Sequence, residues 1–121
     1  MNDFAGVFGN PVVIQSPPSE IKDGDTVRFP CSLKDGGMED VVMFWYRQRD
    51  GQSPEYISRE GKHYGKGFKE RFIVEIDDSN NKLSLEIKPA HIEDSGVYYC
   101  VVLESTATES THAAVQYLKI I

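Results

Sequence analysis

Positions 94 to 100 read Asp94-Ser95-Gly96-Val97-Tyr98-Tyr99-Cys100. The first three residues are turn chemistry and the last four form a β-rich run, so a strand starts at Gly96 with Tyr98 and Cys100 on one face. Working outward, the same parity recurs. Val27, Phe29, Cys31 and Leu33 point one way, with Thr26, Arg28, Pro30 and Ser32 opposite. In Val41–Arg49, Met43 and Trp45 share one face while Phe44, Tyr46 and Gln48 share the other. Phe72, Val74 and Ile76 alternate inward, as do Leu83, Leu85 and Ile87, and Gln116–Ile121 closes the chain. A first strand is expected at Val12-Val13-Ile14-Gln15, ended by Ser16-Pro17-Pro18-Ser19, and shorter ones near Tyr56 and Tyr64. Turn residues interrupt the runs every 8 to 12 positions, the rhythm of an all-β sandwich or barrel. No helical stripe appears beyond one turn at Pro89-Ala90-His91-Ile92. One sandwich of about nine strands over residues 1–121 is the expectation.

Composition fits that reading. The chain has 121 residues, 40% hydrophobic and 11% aromatic, enough to bury a core. Its net charge of −6 has the wrong sign for nucleic-acid or anionic-membrane binding. No run approaches the ~18 apolar residues of a membrane span, and Met1-Asn2-Asp3-Phe4-Ala5-Gly6 does not read as a signal peptide. A mature domain or a fragment of something longer is expected. His63, His91 and His112 are scattered without metal-ligand spacing, so no metal or cofactor is expected. Cys31 and Cys100, 69 positions apart, are compatible with two buried thiols or with one long-range disulfide. The disulfide would be worth about 4 kcal/mol and implies an oxidising compartment.

Inward Cys31, Trp45 and Cys100, together with the Asp94–Cys100 stretch, resemble a variable-type immunoglobulin domain over Pro11–Ile121. The resemblance implies an extracellular two-sheet sandwich with a Cys31–Cys100 disulfide covered by Trp45, and a core including Leu85. It also implies a tyrosine corner at Tyr98 and an ion pair between Arg71 and Asp94. Phe44-Trp45-Tyr46-Arg47-Gln48 is similar to antigen-receptor domains, especially T-cell-receptor chains and the novel immune-type receptors of bony fish. Such domains pair face to face, which places Phe44, Tyr46, Gln48, Pro54, Tyr56 and Tyr99 on a dimer face.

The C-terminal stretch departs from the rearranged receptors, which carry Phe-Gly-x-Gly where this chain has His112-Ala113-Ala114-Val115. Val115 is β-branched and resists positive φ, so a straight final strand without a glycine bulge is expected. That favours a novel immune-type receptor, used without rearrangement. Pro30, beside Cys31, is out of place in a strand paired on both sides.

Binding in this fold belongs to loops at one end. The first candidate loop contains Asp35, Gly36, Gly37, Met38, Glu39 and Asp40. The second contains Arg59, Glu60, Lys62, His63 and Tyr64, with Tyr64 its aromatic anchor. The third runs from Leu103 through Glu104, Ser105, Thr106, Ala107, Thr108 and Glu109 to about Thr111, acidic and free of aromatics. No Gly-x-Ser-x-Gly or phosphate-loop motif occurs, so an enzyme is not expected. No Asn-x-Ser/Thr sequon occurs either. The expected role is ligand recognition by the ectodomain of an innate, germline-encoded type I cell-surface receptor. Its partner would be a cell-surface protein, with a homodimer through the front sheet as a further expectation. A rearranged T-cell-receptor-like chain and a homophilic adhesion domain are the alternatives.

Overall fold

A computed structural model of the chain describes residues 19–32, 41–80, 82–104 and 111–121. Nine strands occur among them: β1 Ser19–Ile21, β2 Val27–Ser32, β3 Val41–Gln48, β4 Glu55–Arg59, β5 His63–Tyr64, β6 Phe72–Asp77, β7 Lys82–Ile87, β8 Gly96–Glu104 and β9 Thr111–Ile120. A front sheet has the order β1-β9-β8-β3-β4-β5 and a back sheet the order β2-β7-β6. Single 3-10 turns at Asp78–Asn80 and Ile92–Asp94 are the remaining elements.

The period-two pattern decides which sheet face is buried. Phe29, Cys31, Phe72, Leu85 and Ile87 of the back sheet meet Trp45, Ile57, Tyr98, Cys100 and Val102 of the front, and all are at most 2% exposed. Cys31 and Cys100 form a disulfide across the two layers with Cα atoms 6.4 Å apart. The Phe29 ring lies 5.1 Å from that of Tyr98.

The Asp-Ser-Gly start of β8 has a steric reason. Gly96 has φ +156°, and a Cβ there would stand 2.6 Å from the Gln48 carbonyl oxygen, so only glycine lets β8 begin against the end of β3. Ser95 then accepts the Ile120 N–H at 2.9 Å, fastening the end of β9.

Several sequence expectations need adjustment. The strand expected at Val12–Gln15 lies outside the described residues. β1 forms at Ser19–Ile21, starting on the last residue of the expected Ser16–Ser19 turn, by pairing parallel to Leu118–Ile120 of β9. β9 begins at Thr111 rather than Gln116, because its ladder with β8 runs unbroken from Leu103↔Thr111 to Gly96↔Leu118. Leu103 and Glu104 therefore belong to β8 and Thr111 to β9, leaving only residues 105–110 between them. The straight β9 shows no register shift at Ala113 or Val115. In β4 alternation breaks, since Tyr46 pairs with Tyr56 and Trp45 with Ser58, so Ile57 is the extra residue of a bulge and turns inward. Pro30 sits exposed on β2, which has β7 as its one neighbour among the described residues, so its missing N–H faces no second ladder.

Candidate functional site

The end of the sandwich where β3 finishes and β8 begins is anchored by charge. Asp94, 1% exposed, accepts Arg71 Nη1 on Oδ2 at 2.8 Å and Arg47 Nη1 on Oδ1 at 2.7 Å. The His91 N–H adds a third donor at 2.8 Å. Burial alone would raise the Asp94 carboxyl, but the Arg71 hydrogen bonds, the His91 N–H and the two guanidinium charges outweigh it and hold it below the usual carboxylate range. Arg47 continues the chain of charges to Glu55 through Nε (3.0 Å) and Nη2 (3.2 Å), and Arg49 grips the same carboxylate. Burial again opposes ionisation of Glu55, and the two arginines again prevail. The Arg47 guanidinium lies 4.8 Å from the Phe68 ring centroid, so its exposed π-face is also covered. Tyr98 donates to the Asp94 carbonyl at 2.7 Å, closing the tyrosine corner; burial pushes its phenol well above the ordinary value.

Arg47 was not singled out in the sequence as part of this network. The signal was available: positions 41, 43 and 45 face inward, and an arginine at the next inward position needs a buried carboxylate.

The outward face of the front sheet is of the opposite character. By strand parity β3 presents Val42, Phe44, Tyr46 and Gln48, β8 presents Val97, Tyr99, Val101 and Leu103, and β9 presents Ala113, Val115 and Tyr117. None of these carries a charge, on a chain whose residues are 26% charged; the charges of the same face lie at its margins, Lys119 at the end of β9 and Arg59 opposite Phe44 on β4. The Tyr46 ring lies 6.1 Å from Phe44 and 5.9 Å from Tyr56, making an aromatic cluster across β3 and β4. Tyr99 donates to Gln48 Oε1 at 3.4 Å, and Gln48 Nε2 donates to the Gln52 carbonyl at 3.2 Å. Pro54 is exposed just before β4. The six residues assigned to a pairing face thus lie along one sheet.

At the loop end, Asp35–Asp40 and Ser105–Glu109 lie outside the described residues, as does the Glu104 side chain. Arg59, Lys62 and His63 are exposed around the β4–β5 hairpin, and Glu60 adopts φ +54° to turn it. Tyr56 donates to the His63 carbonyl. Tyr64 differs from a free anchor: its ring packs against the core and its hydroxyl accepts the Val74 N–H at 3.0 Å.

A concavity of about 520 Å³ lies elsewhere, on the back sheet beside Arg28, Pro30, Glu75 and Ser84, and shares no residue with the front face or the loops. Among the described residues no three His, Cys, Asp or Glu are grouped to hold a metal ion. None of their helices is long and apolar enough to cross a membrane.

The sequence model of the immunoglobulin V-set domain matches residues 14–117. The chain belongs to the immunoglobulin V-set family. Among related proteins, a human chain described as probable non-functional immunoglobulin lambda variable 11-55 is 36% identical over 112 residues, covering 88% of this chain and 91% of the relative. The mouse immunoglobulin omega and iota chains are each 35% identical over 104 residues, covering 82% of this chain and 73% of theirs. The V-set assignment gives the geometry its sense: a disulfide-locked sandwich, ion-paired at one end, with a front sheet whose β3 and β8 carry no outward charge. This is a recognition fold of the immune type.

Proposed function

We propose that this V-set domain is the ligand-recognition ectodomain of a germline-encoded, innate immune receptor, most like the novel immune-type receptors of bony fish. In this reading its three end loops bind a cell-surface protein, and its front sheet pairs with a second domain. A type I membrane anchor outside these residues would hold it at the cell surface, with natural-killer-like signalling.

The observation that carries the germline reading is β9. Ala113 and Val115 stand where rearranged receptors carry glycines, and the ladder with β8 passes both without a shift. Glycines at those positions allow the bulge that splays the strand in a rearranged chain; a straight strand with alanine and valine fits a chain that no joining segment completed. The absence of outward charge on β3 and β8 supports the second reading, a rearranged chain pairing with a partner to bind antigen. The two readings separate on germline DNA from non-lymphoid tissue across Tyr99 to Ile121. Continuous coding supports the innate receptor. A coding sequence that breaks between Leu103 and Thr111 overturns it and favours the rearranged chain. Loop use is tested by staining cells with tetramers of the domain. Replacing Asp35–Asp40 by a glycine-serine loop should abolish staining, whereas staining that survives replacement of each of the three loops in turn removes the loops from recognition.

A further inference from the structure

We propose that Tyr64 closes the free edge of the back sheet, and that opening this edge turns β6 into a strand that pairs with β6 of a second copy of the chain.

β6 has one strand neighbour, β7, among the described residues. Its other edge therefore offers backbone groups to any extended chain. The segment Phe72-Ile73-Val74-Glu75-Ile76-Asp77 suits such pairing, being β-branched or aromatic at four of six positions and free of proline and glycine. Ile73 is 40% exposed on its outward face.

The direction of the polar groups can be read from the hydrogen bonds. The Arg71 carbonyl accepts the Lys88 N–H at 3.0 Å, across the β7 side, so the groups of Phe72 and Val74 point to the open edge. Both N–H groups are occupied. Phe72 donates to the Phe68 carbonyl at 3.3 Å, and Val74 donates to the Tyr64 hydroxyl at 3.0 Å. The Val74 carbonyl is screened as well: Gly61, at φ +69°, approaches so closely that a Cβ there would stand 3.1 Å from that oxygen. The β4–β5 hairpin of the front sheet thus lies over the middle of the back sheet's edge, and the Tyr64 hydroxyl is its one side-chain hydrogen bond to β6.

The occupant follows from self-complementarity. An antiparallel pair of β6 strands centred on Val74 sets Phe72 opposite Ile76 and Ile73 opposite Glu75. Asp77 then faces the position of Arg71. No like charges oppose one another, and both apolar faces continue across the junction.

Tyr64→Phe keeps the ring packing and removes the acceptor. The folded variant should exchange its Val74 amide about tenfold faster, as expected for one lost hydrogen bond, while the Leu85 amide in β7 stays protected. In sedimentation it should form species larger than any the parent forms at the same concentration, and adding Ile73→Glu, which sets like charges opposite Glu75 across the junction, should reverse this. The proposal is overturned by an unchanged Val74 amide, by no gain in association, or by association indifferent to Ile73→Glu. Should Tyr64→Phe fail to fold, the parent decides: its Val74 amide must be protected despite lying on a free edge, and exchange at the unprotected rate ends the proposal.

Discussion

Asp94 is the residue on which most of the lower half of the domain converges. It accepts from two guanidinium groups, one on β3 and one preceding β6, and so ties the two sheets together through a single carboxylate. Removing one member of a buried charge network leaves the others desolvated without compensation. Asp94→Ala takes from the 7% exposed Arg47 the partner of its Nη1, leaving it Glu55 alone, and should destabilise the fold by about 3 kcal/mol. A urea unfolding midpoint close to the parent's would contradict this. The pH dependence has a definite sign. The folded pKa values of Asp94 and Glu55 lie below their unfolded values. Their contribution is therefore fully present above the unfolded carboxylate range and is lost as pH falls through the folded values. Stability should decline on acidification from neutral pH, and Asp94→Asn should show a flatter decline; equal slopes would place the acid sensitivity elsewhere. Tyr98→Phe tests the adjoining corner. It deprives the buried Asp94 carbonyl of its 2.7 Å donor and should weaken the fold by about 1–2 kcal/mol in the same assay.

At the scale of elements, what the sequence revealed depended on how locally each strand is specified. β2, β3, β6, β7 and β8 are legible because each alternates for six residues or more, and a one-residue slip would expose its whole apolar face. β1 was not legible, since three residues carry too little alternation and the strand exists through parallel pairing with β9 at the other end of the chain. The bulge at Ile57 was hidden for a related reason: two successive inward residues, Ile57 and Ser58, contradict the period that identifies a strand. Arg47 and Tyr64 are the corresponding gaps at the site. Arg47 lies inside a motif that masks its inward parity, and nothing in the sequence around the anchor Tyr64 marks the hydrogen bond that ties it to β6. β9 begins five residues before the expected Gln116, yet its ladder is straight as Ala113 and Val115 imply, and it yields a prediction of its own. Replacing Ala113 and Val115 with glycine adds backbone freedom to a straight, fully paired strand. The double variant should lose about 0.5–1 kcal/mol per site, seen as a lower melting temperature. A melting temperature equal to or above the parent's would mean that this strand already tolerates a bulged conformation.

For the whole molecule, the governing asymmetry is between a locked interior and a flank whose central strands carry no outward charge. The disulfide and the Asp94 network hold the two sheets in one arrangement, so the outward face of the front sheet is a rigid surface, with little conformational freedom to lose on association. That face carries Phe44, Tyr46, Val97, Tyr99, Val101, Leu103 and Val115 without a charged neighbour on β3 or β8, although the protein as a whole bears net charge −6. In the proposed reading this contiguous apolar face is the pairing surface, with Gln48 and Tyr99 at its centre. If two copies meet there about a two-fold axis, each Gln48 approaches its twin. Gln48→Arg would then bring two guanidinium groups together in the middle of an apolar contact, where neither finds a carboxylate. Sedimentation of the parent should show a concentration-dependent dimer, and Gln48→Arg should return it to a monomer of unchanged melting temperature. Tyr46→Asp should do the same by placing charge in the aromatic cluster. A parent that remains monomeric at high concentration, with neither substitution changing its behaviour, removes the homodimer and leaves the face for an unlike partner. In that event the same two substitutions should abolish capture of that partner while leaving the Asp94 network, and with it the acid sensitivity, intact.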